Sequence, residues 1–169
     1  MTYVFAYGSN LAVARIEARV GAVTTIAVGK LAGHALRFHK IGRDGSGKAD
    51  AHVSGNSADA VWGVVYELAP RAKRRLDHFE GLGSEYLEAE VAVATAAGEI
   101  ACHVYRAHPL RIDESLLPFE WYHRYVVHGA RAHALPDAYV AALARAPVRV
   151  DPDRTRAERA LALLEESKV

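Results

Sequence analysis

A chain of 169 residues, 51% hydrophobic and 24% charged, is long enough to bury a proper core and falls in the range of a single domain. Its 21 lysines and arginines stand against 20 aspartates and glutamates, a net charge of +1, so no global field recruits nucleic acid or an acidic membrane surface. Cys102 is the only cysteine, which excludes an intrachain disulfide and any zinc site built on two or more thiolates.

The opening run Tyr3-Val4-Phe5-Ala6-Tyr7 alternates as a strand and ends abruptly in Gly8-Ser9-Asn10. A helical pattern carried by Leu11, Arg15, Ile16 and Val20 follows at once, with Ser9 or Asn10 placed to cap it. Such a junction leaves backbone N–H groups unpaired, a ready site for a carboxylate or other anion. The same residue types also serve plain turn geometry, so this signal is ambiguous alone.

Residues 24–28 and 36–40 read as strands, punctuated by Gly29 and Gly33. Residues 42–59 hold four glycines and many small polar side chains, and the expectation there is a long mobile loop. Val61-Trp62-Gly63-Val64-Val65-Tyr66-Glu67-Leu68 is a near-continuous apolar strand, and Pro70 then stands where a helix places its first residue. That helix runs to Glu80 and stops at Gly81. Its basic run Arg71-Ala72-Lys73-Arg74-Arg75 is expected to be a solvated face, with Ala72, Leu76 and Phe79 as the buried stripe.

Strands at 86–94 and 100–106 flank a hairpin turn, and the last third is helical, at 118–133, from Pro136 and from Asp153 onward. Strands early and helices late predict an α+β fold, a small curved sheet or barrel flanked by helices. No stretch of about eighteen apolar residues and no secretory leader is found, so a cytoplasmic protein is expected.

Glu80 is the leading candidate for chemistry, because the negative end of its helix opposes ionisation and suits a group that takes and returns a proton. A solvated carboxylate without a role is the commoner meaning of such a position. Tyr86 and Tyr122 can offer hydroxyls to a polar ligand, although a half-buried tyrosine usually satisfies its hydroxyl within the protein. No His-Glu-x-x-His occurs, and His123 and His128 lie five apart on different helical faces, so histidine spacing supports no metal. Cys102 alternates with Ile100 and Val104, the pattern of a core thiol and not of a nucleophile.

Taken in order, YVFAYGSNL at 3–11, VWGVVYEL at 61–68, LDHFEG at 76–81 and the strand from Tyr86 to Val93 resemble the γ-glutamylcyclotransferase family, also called AIG2-like. The likeness extends to Tyr122 through Ala130 and to Leu135-Pro136-x-x-Tyr139, and so covers almost the whole chain. It implies a small mixed-sheet barrel with helices around it. It implies that Gly8, Ser9 and Asn10, with neighbouring Tyr7 and Leu11, hold the γ-glutamyl end of a small-molecule substrate. Glu80 becomes the catalytic acid/base, and Tyr86 and Tyr122 fall at substrate-contacting positions.

The implied reaction releases 5-oxoproline and an amino acid, and needs no metal, nucleotide or redox cofactor. A γ-glutamylamine as substrate, or a non-catalytic binding module on the same scaffold, are the competing readings. One departure stands out: Ala49-Asp50-Ala51 occupies a place where relatives often have Ala-Asn-Ile, and the expectation is an added charge close to the site.

Overall fold

The computed structural model describes residues 1–166. In chain order these form β1 (Thr2–Ala6), a 3-10 turn (Ser9–Leu11), α1 (Val13–Val20), β2 (Thr24–Ala32), β3 (His34–Ile41) and β4 (Gly47–Val53). There follow β5 (Ala60–Leu68), α2 (Pro70–Glu80), β6 (Tyr86–Thr95), β7 (Gly98–Ala107), α3 (Glu120–Ala132), α4 (Asp137–Ala144) and α5 (Arg154–Glu166).

Five strands close a barrel in the order β1-β5-β2-β6-β7, and β3 with β4 forms a separate two-stranded sheet. β1 runs antiparallel to β5 from Thr2↔Leu68 to Ala6↔Val64 and meets β7 in parallel at Val4↔His103, which closes the ring. β6 and β7 make the expected hairpin, from Tyr86↔Ala107 to Thr95↔Gly98. The mixed barrel with surrounding helices is the architecture expected from the sequence.

β5 lies between β1 and β2, covered on both faces, and this is why its residues read as a continuous apolar run and not an alternating one. Val64, Val65 and Tyr66 are wholly buried there, in one core with Phe5, Leu76 and Val104. On α2, Pro70 opens the helix and Gly81 ends it in the left-handed conformation, at φ 62°. Ala72 and Leu76 are its buried face, but Phe79 is 49% exposed, against the expected stripe, because the helix turns its last residues toward an open cleft.

The expected mobile loop at 42–59 is corrected. Residues 47–53 are a strand paired to β3 from His34↔Val53 to Ile41↔Gly47, and Ser46, Ala49 and Ala51 are buried. A Cβ on Gly47 would lie 2.0 Å from the Phe38 carbonyl oxygen, so that glycine permits strands to meet and does not loosen a loop.

The expected cap of α1 by Ser9 or Asn10 is also absent: the helix begins after Ala12, with no side-chain cap. Both side chains are used elsewhere, as described below. Helix α3 packs directly on the 3-10 turn, where a Cβ on Gly129 would fall 2.3 Å from the Leu11 carbonyl carbon. Among the described residues no helix is long and apolar enough to cross a membrane.

Candidate active site

The end of β1, the 3-10 turn and the last turn of α2 converge on one cavity. Its wall includes Tyr7, Gly8, Ser9, Asn10, Glu80, Tyr86 and Tyr122, and among the described residues Glu80 is the only carboxylate lining it. α2 is fixed against the barrel by wholly buried Leu76 and by Asp77, which accepts from the Tyr105 hydroxyl at 2.6 Å, so the position of Glu80 follows from the core.

Glu80 meets the first turn directly. Asn10 Nδ2 donates to Glu80 Oε1 at 2.9 Å, Arg19 Nη1 donates to the same oxygen at 3.0 Å, and Arg19 Nη1 also reaches Asn10 Oδ1 at 2.8 Å. The resulting triangle loads one carboxylate oxygen and leaves Oε2 without a donor among the described residues. Ser9 Oγ accepts from Arg15 Nε at 3.1 Å. Freed from capping, Ser9 and Asn10 therefore bind the two arginines of α1.

The turn is closed by Leu11 N–H to the Gly8 carbonyl (3.0 Å) and Ala12 N–H to the Ser9 carbonyl (3.2 Å). Its first donors, the N–H groups of Ser9 and Asn10, have no acceptor among the described residues, as the geometry of a helix start dictates. Leu11 itself lies outside the cavity: it is wholly buried, and its carbonyl accepts from the Tyr66 hydroxyl at 3.2 Å.

Tyr7, Tyr86 and Tyr122 are all buried, and burial first of all pushes their hydroxyls above the ordinary phenol range, so they remain protonated. Tyr7 donates to the Tyr105 carbonyl and Tyr86 donates to the Ala49 carbonyl at 3.0 Å. Tyr122 differs, since its oxygen accepts the Ala49 N–H at 3.0 Å and keeps its own proton to donate. Together Tyr86 and Tyr122 pin β4 at Ala49, the residue that packs against Gly8.

The inner cavity of about 40 Å³ has room for roughly three water-sized groups. It adjoins a vestibule of about 230 Å³ that shares Ser9, Glu80, Tyr86 and Tyr122, and half of its other lining residues are cations. The vestibule supplies the residues that sequence reasoning missed: Arg15, Arg19, Lys40, Arg43 and Lys48. Arg15 and Arg19 stand four apart on α1, a spacing that puts both on one helical face and was visible in the sequence.

Asp50, expected as a charge close to the site, lines neither cavity. Its oxygens are committed to the Ala107 N–H (2.7 Å) and to His39 Nε2 (2.9 Å), while His39 Nδ1 meets Glu114 at 2.7 Å. With His52 this is the one group of potential metal-ligating atoms among the described residues, gathered within 4.8 Å, but both His39 nitrogens are engaged by carboxylates in a clamp that ties β3 to β4. Cys102 is buried, and burial pushes its thiol up to about 11, as a core residue requires.

The profile of the AIG2-like family matches residues 60–143. A γ-glutamylcyclotransferase from Homo sapiens is 34% identical over 144 residues, an overlap of 80% of this chain and 73% of the relative. The chain belongs to the γ-glutamylcyclotransferase family. A bovine γ-glutamylcyclotransferase is 33% identical over the same length and the same shares of the two chains. A solved γ-glutamyl cyclotransferase superposes with a TM-score of 0.85 at 26% identity, covering 97% of this chain and 98% of that one. A human structure described as uncharacterized gives 0.80 at 30% identity, with 88% and 89% covered. The family's barrel is thus the frame on which Glu80 and the first turn are brought together here.

Proposed function

We propose that this chain is a γ-glutamylcyclotransferase that converts a γ-glutamyl amino acid into 5-oxoproline and the free amino acid. The observation that supports this most is the shared cavity in which the Asn10 amide holds Glu80 at 2.9 Å, beside the unpaired N–H groups of the turn.

The substrate supplies both reactants. Its α-amine attacks its own γ-carbonyl, a bond forms between the α-nitrogen and the γ-carbon, and the bond from the γ-carbon to the departing nitrogen breaks. Folding the glutamyl chain into that geometry replaces an encounter between two molecules, and effective molarities of about 10⁵ to 10⁸ M are typical of well-oriented cases. A small inner cavity is suited to enforcing the fold of a short chain.

With the α-amine reacting in its neutral form, Glu80 Oε2 takes the one proton the attacking nitrogen sheds and delivers it to the departing nitrogen, a role worth about 10² to 10⁴ in rate. The Ser9 and Asn10 N–H groups receive the substrate's α-carboxylate, and the free hydroxyl proton of Tyr122 faces the developing oxyanion. The departing amino acid occupies the vestibule.

The test is to incubate the protein with γ-glutamyl dipeptides and γ-glutamylamines and to measure 5-oxoproline. Release from the dipeptides is expected. No release from any compound would remove the enzymatic reading and favour a binding module.

A further inference from the structure

The vestibule's charges do not cancel. Its three carboxylates are each matched: Glu80 to Arg19 at 3.0 Å, Asp44 to Lys48 at 2.7 Å, and Glu85 to Lys40. Asp44 is further saturated by the Ser46 backbone and hydroxyl, at 3.0 and 2.8 Å. Two guanidinium groups on the same walls, Arg15 and Arg43, have no carboxylate partner among the described residues. The lining therefore carries two more positive charges than negative ones.

Arg15 is held only by neutral groups. Beyond its bond to Ser9, its guanidinium lies 4.5 Å from the centre of the Tyr125 ring and 5.7 Å from that of Trp121. Lys48 shares this platform, 4.8 Å from the Trp121 centre and 4.6 Å from that of Tyr122. Burial and the neighbouring Arg19 both act against the charge on Arg15, the mark of a cation kept out of water without a counter-ion. Arg43 stands at the exposed lip, its Nη2 within 3.5 Å of the space a Cβ on Gly81 would fill, one residue beyond Glu80.

Arg15 is thus tied to Ser9 of the inner cavity, and Arg43 stands at the exposed edge of the vestibule. The glutamyl α-carboxylate is taken by the turn amides, so the two unmatched guanidiniums face what departs. An amine brings no negative charge to them, a neutral amino acid brings one, and an acidic amino acid brings two.

We propose that the vestibule is an anion subsite for the leaving group, selecting γ-glutamyl substrates whose leaving residue is an acidic α-amino acid. Its α-carboxylate is received by Arg15 beside Trp121, and its side-chain carboxylate by Arg43 at the lip. This rests on the cyclotransferase reading and sharpens it, since it ranks acidic leaving residues above neutral ones and both above amines.

The test compares 5-oxoproline release from γ-glutamyl-glutamate, γ-glutamyl-glutamine and γ-glutamyl-propylamine at low and high salt. The two dipeptides have nearly the same shape and differ by one charge. Wild-type kcat/KM is expected to favour the glutamate compound about tenfold at low salt, with the preference shrinking as salt rises. Arg43→Gln is expected to bring the ratio of the two dipeptides to about one. Equal kcat/KM for the two dipeptides with the wild-type protein, or a preference that survives Arg43→Gln, overturns the subsite. Absence of 5-oxoproline from all three compounds is a different failure, since it removes the cyclotransferase reading beneath the proposal.

Discussion

Asn10 Nδ2 and Glu80 Oε1 lie 2.9 Å apart although 70 residues separate them in sequence. Arg19 completes the contact from the other side, bonded to both, so Glu80 is oriented by an amide and a guanidinium acting on one oxygen. The other oxygen has no donor among the described residues, and the proposed proton transfer falls to it. Replacing Asn10 by alanine leaves Arg19 as the sole orienting donor, and kcat is expected to fall about tenfold, the worth of one hydrogen bond to a charged group. Steady-state 5-oxoproline release checks this. A rise in KM with unchanged kcat would show that Asn10 anchors substrate without positioning Glu80.

Lys48 gives the vestibule a pH signature. Burial pushes its ammonium down to about 8 from 10.5, with Asp44 acting in the opposite direction. Between these two values the unfolded chain binds more protons than the folded one, so the contribution of Lys48 to stability rises with pH across that window, and its full cost is present below about 8. Anion recognition runs the other way, because the charge is lost over the same range. KM for an anionic dipeptide is expected to climb above about pH 8, and Lys48→Arg, which keeps its charge, is expected to flatten that climb. A KM profile identical in the two proteins would separate Lys48 from binding.

Asp151 anchors the C-terminal helix to the aromatic platform. Its carboxylate accepts from Trp121 Nε1 at 2.7 Å, from the Asp153 N–H at 2.8 Å, and from Arg156 through both oxygens. Arg156 before the others holds the carboxyl down, at about 2. The stability this supplies is fully present above about pH 4 and lost as pH falls toward 2. Because the Arg156 side chain is 36% exposed, the effect is set on the order of 1 kcal/mol. Thermal unfolding of wild type and Asp151→Asn is expected to differ above pH 4 and to converge on acidification. A constant difference would place the anchor elsewhere.

Gly129 has backbone neighbours on the site side: an added Cβ would lie 2.3 Å from Leu11 C and 2.5 Å from Ala12 N. Neither can swing aside as a side chain could. Gly129→Ala is expected to cost about 1–3 kcal/mol in stability and to lower kcat by shifting the turn that carries Asn10. Chemical denaturation read beside activity tests it, and a variant with wild-type values in both would show that α3 does not set the turn.

Much of this architecture was legible because local chemistry and tertiary demand agreed. The run at 61–68 is apolar throughout because β5 is covered on both faces, and Pro70 with Gly81 bracketed α2 and so put Glu80 at its end. β4 was hidden by composition. Ala49 and Ala51 do alternate with Lys48, Asp50 and His52, but alanine carries little hydrophobic signal and the nearby glycines read as looseness, whereas Gly47 is needed for close approach to Phe38. The site's cations were missed for a different reason. Arg15 and Arg19 look like the solvated side of a short helix until α2 and α3 are placed against it, and Asn10 looks like a cap until its partner across the chain is known.

The proton-transfer role proposed for Glu80 is tested most directly by Glu80→Gln, an amide of the same shape that cannot carry a proton. With thermal stability and γ-glutamyl ligand binding preserved, 5-oxoproline release is expected to fall by about 10² to 10⁴. Release from this variant at a rate comparable to wild type would contradict Glu80 as the group that moves the proton.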